Sequence, residues 1–164
     1  MTRVLLATAM AFAAAASAGA QNSATQMTEL KGGFTGATSV SCSFSLRTTS
    51  TWNGDQPAAE TKPATLTLKF EDLNIDEGTG RVVVTGASGT GQLIVKAENG
   101  NLHFVQLFLA GALHVTTVFT GETKDGKAKA IHSRHEFTPV MLPGFTSRPE
   151  QWVGQCEPGG RSSS

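Results

Sequence analysis

The sequence predicts an all-β domain of about eight short antiparallel strands in an up-and-down meander, closed or nearly closed into a small barrel, with a β-sandwich as the alternative. Three observations carry this. Apolar and polar residues alternate with period two along several runs, most clearly where Val40, Cys42, Phe44 and Leu46 interleave with Ser39, Ser41, Ser43 and Ser45. Turn dipeptides such as Asn99-Gly100 and Asp125-Gly126 separate the runs. The chain's two cysteines, Cys42 and Cys156, sit near the two ends of the patterned region. A bridge between them closes a loop of 114 residues and ties the first strong strand to the last, as expected when a sheet curls until its ends meet.

The first twenty residues read as an export signal. Arg3 supplies the positive start, Val4 to Ala16 the apolar run, and Ala18-Gly19-Ala20 the small-x-small site, which places cleavage before Gln21. The apolar run is shorter than the ~20 residues a spanning helix needs. Residues 21–36 read as a flexible lead-in with Phe34 as an anchor, residues 37–157 as the barrel-like domain and residues 158–164 as a disordered tail. One domain of this size buries about 68–70% of its surface on folding, enough for a core that needs no metal.

The strands follow in order. Thr38–Thr48 is half-buried, with Cys42 on the apolar face. Ser50–Pro63, with Asn53-Gly54, Pro57 and Pro63, reads as a long loop around Trp52. Ala64–Phe70 alternates Leu66, Leu68 and Phe70 with Thr65, Thr67 and Lys69. Arg81–Thr85, Gln92–Ala97, Leu102–Leu109 and Ala112–Thr120 come next, then Lys127–Phe137 and, after a proline-rich loop Pro139–Pro149, Gln151–Cys156. Such a meander is similar in outline to the lipocalin type. No lipocalin motif near the start of the chain matches, so that likeness carries over no site residue. An outer-membrane barrel calls for strands of about ten residues and aromatic girdles; this chain has no tyrosine and shorter runs.

Charge excludes one class of partner. The chain holds 13 Lys+Arg and 13 Asp+Glu, and Arg3 is the only charge ahead of Gln21, so the exported part carries one net negative charge. Basic residues do not cluster, which disfavours nucleic acid. The run Gly86–Gly91 matches neither phosphate-loop spacing and leads into a strand rather than a helix. No Gly-x-Ser-x-Gly elbow and no paired carboxylates with catalytic spacing occur, so no catalytic residue and no cofactor is assigned.

Register decides which side chains share the interior. Two-residue turns at Ala110-Gly111 and Asp125-Gly126 place His103, His114 and His135 on one face, with too few ligands for a metal site. The other face then carries Phe104, Gln106, Phe119, His132, Arg134 and Glu136. Aromatic rings beside these polar groups suit the lining of a small cavity. An inward Arg134 would receive a carboxylate or phosphate on its planar fork. Turned outward, Arg134 and Glu136 would be an ordinary solvated pair. The expectations are therefore an exported binding module for a small, partly apolar ligand with an acidic group, or a structural or inhibitory domain meeting a protein partner through its loops.

Overall fold

A computed structural model describes residues 33–84, 92–108, 112–136 and 148–161. Eight strands run in sequence order: β1 (Ala37–Asn53), β2 (Gln56–Asn74), β3 (Thr79–Val84), β4 (Gln92–Glu98), β5 (Asn101–Leu107), β6 (Leu113–Glu122), β7 (Ala128–His135) and β8 (Glu150–Arg161). Each pairs antiparallel with its neighbours, and β8 returns to β1, so the sheet is a closed barrel rather than a sandwich. Cys42 lies directly opposite Cys156 in the closing ladder, with their Cα atoms 4.1 Å apart, and the two form a disulfide. Both point inward and are 1% exposed. A buried disulfide is consistent with an oxidising, exported compartment. Among the described residues no helix is long and apolar enough to cross a membrane. The signal segment, the run Gly86–Gly91 and most of the proline-rich stretch lie outside the described residues.

The middle of the barrel is filled by side chains. Phe70 and Phe104 stack at 4.0 Å, surrounded by Val40, Phe44, Leu68, Leu93, Val95 and Leu102. Burying each such side chain contributes about 1.5–3 kcal/mol. Phe34 is buried in this core at the end where the chain enters, as its sequence position suggests.

The segment 50–63 is not a loop. β1 and β2 run on as a two-stranded arm turned at Gly54, whose φ is +64°. The β1–β8 ladder stops at Thr49 and the β2–β3 ladder starts at Leu68, so among the described residues the tip of the arm has no third strand beside it. Its threonines favour extended backbone, and Pro57 and Pro63 are tolerated because an edge need not donate. β8 also continues to Arg161, four residues past the expected domain end. Gly159 and Gly160 allow this: a side chain at either would meet Ser39 Oγ at 2.3 Å or Thr38 Oγ1 at 2.6 Å.

A bulge breaks β1 between Phe44 and Leu46, where Ser45 is the extra residue against β8. A bulge shifts the inward phase by one. Leu46, expected on the apolar face, is 38% exposed, and Arg47 turns inward opposite Trp152. Gly154 makes the bulge possible. A Cβ there would lie 2.1 Å from Ser43 O and 2.6 Å from Phe44 Cα.

Candidate functional site: the polar end of the barrel

The β5–β6 ladder departs from the expected register by one residue and the β6–β7 ladder by three, the latter because a register shift between Val118 and Glu122 adds to the effect of its turn. Phe108 N–H donates to Ala112 O at 3.0 Å beyond the Leu107–Leu113 pair, and Thr123 N–H donates to Lys127 O at 2.7 Å around a turn with Gly126 at φ +74°, so each ladder begins one residue off the two-residue-turn register. Each odd offset exchanges the faces of the strand that follows. β5 and β7 therefore keep their expected faces, and β6 is turned over.

The consequence is specific. Phe104, Gln106 and His132 point into the barrel and are buried. Arg134 faces the same way, opposite His114 on one side and Glu150 on the other. From β6, His114, Thr116 and Val118 enter the interior. Phe119 alternates with the buried Val118 and so lies on the outer face, which removes it from the site. His103 and His135 stay on the outer face of β5 and β7, so His114 no longer shares a face with them, and His103 bonds Thr117. No group of three or more metal-ligating side chains forms among the described residues.

Three further residues join from the closing strands. Glu150 and Trp152 share the inward phase of Cys156 along β8, and the β1 bulge brings Arg47. Glu150 is 6% exposed. Its Oε1 accepts from Arg47 Nη1 at 3.4 Å, its Oε2 accepts from Trp152 Nε1 at 3.2 Å, and Arg134 Nη1 stands 3.9 Å from the same oxygen. Both guanidiniums also lie within cation–π reach of Trp152, their Cζ atoms 5.5 Å (Arg47) and 6.0 Å (Arg134) from the ring centroid.

The histidines form the other half. Arg134 Nε–H donates to His132 Nε2 at 3.4 Å, and His132 Nδ1 is 2.8 Å from Thr116 Oγ1. Arginine has no acceptor, so Nε2 is bare and the proton sits on Nδ1, donating to Thr116. Burial, with the charge of Arg134 beside it and His114 nearby, pushes the His132 pKa down to about 3. Its ring meets His114 edge-on at 5.6 Å. His114 Nε2 contacts Glu136 Oε1, and its ring leans on Phe108 at 4.6 Å. Burial lowers the His114 pKa while the bond to Glu136 pulls it up. Arg134 contacts His132 and Glu136 contacts His114, so each holds a different histidine in the barrel end.

Chemically this is a preorganised set of cationic donors with one buried carboxylate at its base. Thr116 accepts from His132 and is not deprotonated by it, so the two are not a nucleophile and its base. No protein-family model, no curated protein and no solved structure matches the chain.

Proposed function

We propose that this chain is an exported, periplasmic or extracellular binding module that takes a small, partly apolar ligand with an acidic group at the polar end of its barrel. One observation carries the reading: Gln106, Thr116, His132, Arg134 and Glu150 face the interior at one end, where apolar packing would hold the barrel at least as well. Sequences depart from apolar interiors chiefly at functional sites. With its middle filled, the barrel carries its inward polar groups at this end, not in its depth. The orientation of the Thr116–His132 bond supports binding over catalysis.

The test is a thermal-shift and native mass spectrometry panel of lipids and small organic acids. A ligand-induced rise in melting temperature that Arg134→Ala abolishes supports the reading; a panel with no shift and no adduct counts against it.

A second reading has its own observation. The β1–β2 arm projects from the same end and carries Trp52 at 52% exposure, which suits a structural or inhibitory domain that meets a protein partner. Shortening the arm to the barrel rim separates the two, because ligand binding at the end survives and partner binding does not.

A further inference from the structure

We infer that the polar end is a two-arginine clamp for a single carboxylate borne on an aromatic ring, an inference that rests on the ligand-binding reading above. Arg47 is the second arm of the clamp, and Glu150 is the positioning residue that aims both arms.

Donor count is the first support. Each guanidinium carries five N–H donors and no acceptor. Arg47 gives one to Glu150 and Arg134 one to His132. Among the described residues the carboxylate that meets both arginines is Glu150, and it stands 3.9 Å from Arg134, beyond hydrogen-bond distance. The pair is rich in donors and poor in acceptors, and an oxyanion supplies what is lacking.

Placement is the second. The Glu150 side chain is 4% exposed, while those of Arg47 and Arg134 are 35% and 21% exposed. The anchor is therefore buried and the two arginines are the more solvent-accessible members of the set. Glu150 gives a different oxygen to each arginine, which fixes the spacing of the two forks before any ligand arrives. Trp152 braces both guanidiniums from the side and donates to the same carboxylate.

The surroundings set the ligand class. Next to Arg134 across the ladder stands His114, whose ring is packed on Phe108, and Phe108 is 39% exposed. A flat apolar body can lie on this strip with its acid on the clamp. Glu136, held by His114 on the far side, is a carboxylate that disfavours a second negative charge on the ligand. The site thus selects an aromatic monocarboxylate over an inorganic phosphate dianion.

Titration calorimetry on the mature chain decides the matter with three probes: 2-naphthoate, its uncharged analogue 2-naphthamide, and inorganic phosphate. Naphthoate is expected to bind at least about tenfold more tightly than naphthamide, and phosphate more weakly than either. Arg47→Gln and Arg134→Gln should each weaken naphthoate by about tenfold or more and leave naphthamide unchanged. Arg47→Lys, which keeps charge and loses the fork, should fall between. Thermal melts of each variant confirm that it is folded. Equal affinity for naphthoate and naphthamide, or an Arg47→Gln variant that binds like the parent, overturns the clamp while the ligand-binding reading stands. Binding of phosphate alone overturns the aromatic ligand class, and no binding by any probe removes both.

Discussion

Arg134 donates to Nε2 of His132 at 3.4 Å, and that bond fixes the proton of a buried imidazole on Nδ1. Burial opposes a second proton, and the cation beside the bare nitrogen opposes it further, so His132 titrates at about 3 instead of the ordinary 6.5. Between those values the unfolded chain binds a proton that the native chain refuses. Stability from this group is complete above about pH 6.5 and falls as the pH drops toward 3, with a slope approaching about 1.4 kcal/mol per pH unit. His114, whose pKa burial also lowers, adds in the same direction. Urea midpoints from pH 7.5 to 5 should decline in the parent and decline less in His132→Gln. Long-range proton–nitrogen spectra at pH 7 should show Nδ1 protonated; a proton on Nε2 would contradict the assigned bond.

Gly154 governs the bulge that delivers Arg47. Because a Cβ there would run into Ser43 O and Phe44 Cα, both backbone atoms, the neighbours cannot step aside. Gly154→Ala should cost about 1–3 kcal/mol or more in a denaturation curve, the range for overpacking. Gly121 is the control: a Cβ there meets only Lys129 Cδ, at 3.8 Å. Gly121→Ala should stay within about 0.5 kcal/mol of the parent.

Strand count, the meander, the inward Cys42 and the closing disulfide were all legible, because each is written in period-two alternation or in the position of a unique residue pair. Part of the inward set was legible: Gln106 follows from Phe104 by alternation, while His132 and Arg134 fall on the expected face because the odd register offsets of the two ladders cancel. The rest turned on single residues. A one-residue offset of the β5–β6 ladder turned β6 over, exchanging Phe119 for His114. The bulge at Ser45 exchanged Leu46 for Arg47, and nothing in a run of serines marks which one will be extra. Glu150 and Trp152 were within reach, since both sit at even spacing from the inward Cys156. Reading Pro149 as the end of a loop hid Glu150 one residue short of the strand.

The disulfide should account for a large share of the barrel's closure. It clasps the first and last strands across a loop of 114 residues, which in the chain-entropy model stabilises by about 4–5 kcal/mol. Cys42→Ala with Cys156→Ala should lower stability by about 2–5 kcal/mol in urea, with far-ultraviolet circular dichroism retained at low temperature. A double variant as stable as the parent would mean that the β1–β8 ladder closes the barrel unaided. In the folded parent both sulfurs are buried, so reductant should act only at the rate of unfolding.

The arm poses a different problem, that of a bare edge. Beyond the β2–β3 ladder, β2 has backbone groups along its outer side that no strand among the described residues meets. Such an edge invites pairing with another molecule. Pro57 and Pro63 are six residues apart in the same phase of the ladder, opposite Trp52 and Leu46, so they deny the same edge two donors. Glu60 and Lys62 pair with each other between them and keep the stretch charged. Both devices work against edge-to-edge assembly. Replacing both prolines with threonine restores the donors and raises strand propensity, leaving the barrel interior untouched. Light scattering across a concentration series should show the parent with a constant mass and the double variant with a mass that rises with concentration. Adding Lys62→Thr should strengthen the effect by removing a charge from the edge. If the triple variant shows no rise, the prolines and the charge pair do not guard this edge, and the arm's projection alone must keep copies apart.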